Sequence, residues 1–154
     1  MVIDLEPLAS FVIPLQKSNL VLPNAAVAEI IPYEPLRRVP DTPDWFLGFL
    51  SWRGVQVPVA SFEMLTVERA SFSLVSVASA NLVIVRTLGE GTEFSYMALV
   101  AQTLPRLVKV GPDELFETND TAEKTELVKA RLGDDLVSIP DLDFVESEIR
   151  GVAY

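Results

Sequence analysis

The chain has 154 residues, 49% of them apolar, enough to bury a core and too many for disorder; the length suits one domain, or two small lobes sharing a core. A formal net charge of −10 repels phosphate backbones and disfavours nucleic-acid binding, although solubility alone also accounts for it. The absence of cysteine excludes disulfides and thiolate metal sites and fits a reducing cytosol, and the absence of histidine removes the commonest general base and most zinc sites, leaving carboxylates, lysines and hydroxyls for any catalysis.

The start, MVIDLEPLAS, lacks a basic segment followed by an apolar one, so no signal peptide is expected, and residues 1–9 read as a loose arm. No window reaches about eighteen uninterrupted apolar residues, so no membrane span is expected. Two short apolar runs, residues 11–15 and 20–22, flank the turn signal Gln16-Lys17-Ser18-Asn19 and predict a first hairpin, with Pro14 suited to an edge or bulge. Asn24 can cap a short helix or turn over residues 25–31 that Pro32 would end. The proline-rich stretch 32–43 reads as an ordered loop anchored by Tyr33, Leu36 and Val39. Thr42-Pro43-Asp44 resembles a helix start, with Gly48 where that helix would stop.

Residues 45–65, WFLGFLSWRGVQVPVASFEML, organise the rest. Phe49 and Leu50 stand in a continuous apolar run, as in a strand covered on both faces. Val55, Val57 and Val59 alternate with Gln56, Pro58 and Ala60, the period of a half-buried strand. The join at Arg53-Gly54 predicts a β-hairpin. A type I′ turn needs φ > 0 at both residues, so a type II or bulged turn with Gly54 alone at φ > 0 is expected. Either way a long cation stands at a hairpin tip with Trp52 beside it. Residues 61–65 predict a helical turn.

Residues 66–80 read as a serine-rich variable loop. Residues 81–86 form a firm strand, Leu88-Gly89-Glu90-Gly91 a turn and residues 94–100 the return strand. Residues 107–110 make a short strand closed by Gly111-Pro112, and residues 117–126 an exposed acidic loop. Residues 128–132 and 136–139 pair across Gly133-Asp134-Asp135, and Asp141 caps a last helix with Leu142, Val145 and Ile149 inward. Strands recurring about every ten residues, with few helices, mark an all-β sandwich or barrel.

No catalytic constellation emerges. Gly89-Glu90-Gly91 lacks the following helix and the lysine of a phosphate loop and reads as a hairpin turn. Asp134-Asp135 and Asp141/Asp143 suit turns and caps better than paired acid–base work. Glu117, Asp120, Glu123 and Glu126 lack the glycine and closing glutamate of a calcium loop. No cofactor or metal is expected. What remains is surface: Arg53, and Trp52, which could equally be buried or interfacial.

Residues 21–65 resemble the CheW-like domain, the coupling module of bacterial chemosensory arrays. The matching pieces are Val27-Ala28-Glu29, Val39-Pro40-Asp41-Thr42-Pro43, Gly48-Phe49-Leu50-Ser51-Trp52-Arg53-Gly54 and Val57-Pro58-Val59; weaker echoes extend over residues 81–110 and the final strands and helix. The resemblance implies a single domain over 1–154, built of two SH3-like five-stranded β-barrels side by side, with no enzymatic activity. It also implies a cytoplasmic adaptor bridging a CheA-type histidine kinase and a methyl-accepting chemotaxis receptor. By the family's pattern, Val27, Glu29, Gly48 and Arg53 lie at or near the receptor-facing groove. Ser51, Ser61 and Ala101 depart from the family's Asn, Asp and Asp, the mark of a divergent member such as a coupling protein of a type IV pilus (twitching motility) system. The alternative from another class is a small-ligand-binding or carboxylate-dependent enzymatic β-barrel, which needs a deep cavity with converging carboxylates.

Overall fold

The computed structural model describes residues 8–66, 79–87, 94–111 and 113–154. The turn expected at 88–91, Pro112 and most of the loop expected at 66–80 lie outside them. So do residues 1–7 of the expected arm, while residues 8 and 9 belong to a strand.

Eleven strands and two helices are present among the described residues. The strands are β1 (Leu8–Pro14), β2 (Asn19–Pro23), β3 (Val27–Pro32), β4 (Phe46–Trp52), β5 (Val55–Ala60), β6 (Asn81–Arg86), β7 (Tyr96–Ala101), β8 (Arg106–Val110), β9 (Leu115–Glu117), β10 (Glu126–Leu132) and β11 (Asp135–Pro140). Helix α1 (Phe62–Thr66) follows β5, and α2 (Leu142–Ala153) ends the chain. The strands form two sheets, ordered β8-β1-β2-β11-β10-β9 and β3-β6-β7-β5-β4. Each sheet curls into a small barrel. The first barrel is therefore six-stranded rather than five-stranded, because the three residues of β9 pair with β10 at its edge.

The chain builds β1 and β2, leaves to make all of the second barrel, and returns. The return is sealed by parallel pairing of β11 with β2, Val137 opposite Asn19 and Ser138 opposite Leu20. The second barrel is thus one continuous stretch of chain, β3 to β7, inserted between the two parts of the first.

Three apolar clusters explain the patterning. Val12, Val21, Ala130 and Val137 fill the first barrel. Leu50, Trp52, Val57, Val59, Leu82, Ile84, Ala98 and Val100 fill the second. A third cluster lies between the barrels: Ile13, Leu20 and Leu22 meet Phe49, Ala60, Val83, Val85 and Leu99, and α2 adds Leu142, Val145 and Ile149. In β6, Leu82 and Ile84 point into the second barrel while Val83 and Val85 point to the seam, all four fully buried. A continuous apolar run is what such a strand requires. The same holds for Phe49 and Leu50. Strand β5 is also covered on both faces towards its end rather than half-buried, since Val57, Val59 and Ala60 are all at 0% exposure and only Val55 and Gln56, near the tip, are open.

The helix expected over 25–31 is replaced by one 3-10 turn at Asn24–Ala26 followed by β3. Val27, Ile30 and Ile31 are β-branched and gain more by pairing with β6 and reaching two different clusters than from one helical face. The helix start at Thr42-Pro43 is a turn, in which Thr42 Oγ1 donates back to the Val39 carbonyl at 2.8 Å. Gly48 ends no helix; it sits inside β4 at a bulge. The acidic loop after Glu117 is exposed only in part, for Thr125 and Glu126 are buried at its end. The last helix is as expected: Asp141 Oδ1 accepts the Phe144 N–H at 3.2 Å.

Val57→Asp puts an unpaired charge inside the second barrel, a cost of several kcal/mol against a typical total stability of about 5–15 kcal/mol. The variant should show no cooperative melting transition by circular dichroism; a soluble variant with a native-like transition would contradict the placement of β5.

Candidate functional site

Strands β3 and β4 are the two edges of the second sheet, and side chains join them. Glu29 on β3 accepts, through one carboxylate oxygen, the Arg53 Nη2–H at 2.7 Å and the Trp52 Nε1–H at 3.3 Å. Rows of paired residues run from Glu29 through Ile84, Ala98 and Val59 to Gly48. The Glu29 carboxylate nevertheless meets residues four and five positions further along β4. That offset is the stagger with which a tilted sheet closes into a barrel. A bulge between Val27 and Glu29 gives β3 one extra residue at this point, a device that re-aims a side chain.

Arg53 and Gly54 have φ of 48° and 77°. Both are in the left-handed region, so the tip is a type I′ turn and not the type II or single-glycine turn expected from sequence. A two-residue connection between right-twisted strands favours this turn strongly enough to override arginine's reluctance. Arginine in that conformation costs about 1–2 kcal/mol. Its guanidinium lies 4.9 Å from the centre of the Trp52 ring, and the side chain stays 70% exposed. Trp52 itself is buried and meets Tyr96 edge-on at 4.9 Å. The indole is therefore a platform, with its N–H committed to Glu29. Any partner meets the guanidinium, positioned from below by Trp52 and from the side by Glu29.

Val27 and Gly48 are placed differently. Val27 is half-buried and packs on the cluster between the barrels. Gly48 is buried, with φ of 129°. A Cβ there would come within 2.5 Å of the Arg37 carbonyl oxygen, because Arg37 and Phe49 exchange two backbone hydrogen bonds of 2.9 Å. The glycine thus lets the loop before β4 lie down against its free edge, where the Arg37 guanidinium also covers the Phe49 ring at 4.9 Å. Glu29, Trp52 and Arg53 form one contiguous site; Gly48 lies at the far end of β4, about 16 Å away at strand rise.

Three buried carboxylates, Glu63, Glu126 and Glu146 on α2, were not apparent from sequence. Glu63 on α1 accepts the Gln16 N–H at 2.7 Å. Burial pushes its carboxyl above the ordinary range, against the pull of hydrogen bonds from Gln16, Lys17 and Gln102. Glu126 on β10 is also buried; desolvation raises its carboxyl, but Ser138 Oγ–H, the Glu123 N–H and Lys129 outweigh that and hold it below the ordinary range. Glu63 and Glu126 line a cleft of about 270 Å³ with Lys17, Phe62, Thr66 and Lys129. The signal available was a glutamate inside an apolar run, as in Phe62-Glu63-Met64-Leu65. Asp135 pairs with Arg106 at 3.0 Å on the surface, and Asp141 is the helix cap. Among the described residues no group of three or more potential ligands could hold a metal ion, and no helix is long and apolar enough to cross a membrane.

Two small barrels packed side by side display a positioned guanidinium on a hairpin tip. The family model for the CheW-like domain matches residues 10–148, and the chain belongs to that family of non-catalytic scaffold proteins, the coupling adaptors of chemotaxis signalling. The fold is also that of the scaffolding protein TtCheW from Thermoanaerobacter tengcongensis, with a TM-score of 0.70 and 17% identity, over 88% of this chain and 90% of that one. No curated protein matches the sequence. Of the departures from the family's pattern, Ser61 still caps α1 by accepting the Met64 N–H at 3.3 Å, and Ala101 is a fully buried small residue at the seam.

Two outcomes are expected. Gly48→Ala should lower stability by about 2–4 kcal/mol, since it adds left-handed strain to an overlap with backbone that cannot yield, as read from denaturant melts. Glu126→Gln should cost about 1.5–3 kcal/mol at neutral pH. Because the folded-state pKa of Glu126 is depressed, its contribution is complete above the ordinary carboxylate range and is lost as pH falls through the folded value. The difference between wild type and variant should therefore shrink in acid, and a difference independent of pH would contradict the assignment.

Proposed function

We propose that this chain couples methyl-accepting chemotaxis receptors to a CheA-type histidine kinase in a cytoplasmic chemosensory array, as a single CheW-like domain. Arg53 is the receptor-facing contact, Glu29 and Trp52 set its position, and Val27 and Gly48 shape the rim of the same barrel. The observation that carries the reading is Arg53 itself. A residue type ill-suited to a left-handed turn is kept there, exposed and pre-oriented, where asparagine would suit the backbone better. An adaptor between two partners also needs a second surface. The first barrel offers Phe116 and Leu136, both exposed, on one face on either side of Arg131, across β9, β10 and β11. We assign that face to the kinase. The departures at Ser51, Ser61 and Ala101 support placing the chain in a divergent branch, with pilus-driven twitching as the output.

The cleft between the barrels supports catalysis poorly, because the carboxylates of Glu63 and Glu126 are already engaged by backbone and hydroxyl donors. Arg53→Glu should abolish receptor association in a pull-down while moving the melting midpoint by less than about 4 °C, since an exposed ion pair is worth about 0–1 kcal/mol. Arg53→Asn should lose the same association and melt no lower than wild type, because Asn-Gly suits a type I′ turn. A collapse in stability with either variant would make Arg53 structural.

A further inference from the structure

The two barrels meet through an apolar cluster, and apolar contact alone is non-directional. Direction comes from a polar strip along one side of the seam, centred on α1. Glu63, which follows the last strand-5 residues of the second barrel by one turn, reaches across to the Gln16 and Lys17 backbone N–H groups in the β1–β2 turn of the first barrel. The same carboxylate takes the side chain of Gln102 from the end of β7, and the Gln102 N–H donates to the Pro14 carbonyl at 2.9 Å. At the other end of α1 the Thr66 hydroxyl bonds that of Thr125, which is fully buried in the first barrel. The cleft lies along this strip, lined by both Glu63 and Thr66.

A carboxylate is a costly group to bury, and Glu63 is only 9% exposed. A buried apolar residue of similar size would cover the same area without fixing an angle. What Glu63 adds is several directed acceptors that both barrels satisfy at once, and only in one relative orientation.

We propose that Glu63 is a latch that sets the orientation of the two barrels. Removing its acceptors leaves each barrel folded but lets the pair rock about the apolar cluster. The inference holds whatever the barrels bind, and its test involves no partner.

The chain has no cysteine, so Val55→Cys on the second barrel and Leu136→Cys on the first, both exposed, give a unique pair of spin-label sites. In that background Glu63→Met keeps the volume and removes every acceptor. The distance distribution between labels should broaden. The amides of Gln16 and Lys17 should exchange about tenfold faster while those of β6 and β7 change little. A distribution as narrow as that of the wild type overturns the latch, and so does a uniform acceleration across both barrels, which would mean that Glu63 supports stability alone. Should Glu63→Met fail to fold, Glu63→Gln decides by the same width, since one amide carbonyl replaces a carboxylate that holds three groups.

Discussion

Strands β6 and β7 are buried on both faces, and everything else follows from that constraint. One face closes over the interior of the second barrel; the other is the floor on which the first barrel and α2 rest. Each fully buried aliphatic side chain contributes about 1.5–3 kcal/mol. The seam holds many of them, so it keeps the two barrels together while the polar contacts beside it set their angle. A chain only 154 residues long gains two small barrels in this way without either having to be stable alone.

The Arg53-Gly54 tip exploits that rigidity. A hairpin held only by its own ladder would twist freely, but β4 is flanked by β5 and, on its outer edge, by the Arg37–Phe49 bridge. Glu29 then ties the tip to the opposite edge of the sheet. The guanidinium thus stands on a scaffold with few soft torsions left beyond its own side chain, which lowers the ordering cost of any contact it makes.

Charged residues divide by role in a way that their spacing hides. Glu29, Glu63 and Glu126 are all glutamates beside apolar neighbours, yet one orients a surface cation, one bridges the barrels and one secures the end of β10. Glu29 and Glu63 are matched by donors far away in sequence, 24 residues away for Glu29 and Arg53 and 47 for Glu63 and Gln16. Local pattern reading sees the glutamate and cannot see its donor.

The sequence by itself determined the all-β class, the hairpin around Arg53-Gly54, the strands of residues 81–100 and the capped terminal helix, because periodicity, turn residues and caps act over a few residues. Its likeness to the CheW-like domain ran over residues 21–65 and was most specific at residues 45–59. Tertiary structure alone decided that residues 27–31 extend rather than coil, that Gly48 accommodates a crossing backbone, that the tip is a type I′ turn, and that Glu29 meets Arg53. Each of these is a long-range outcome: a segment of weak intrinsic preference adopts whatever conformation lets two barrels share one core, and that shared core exists only once the whole chain has closed on itself.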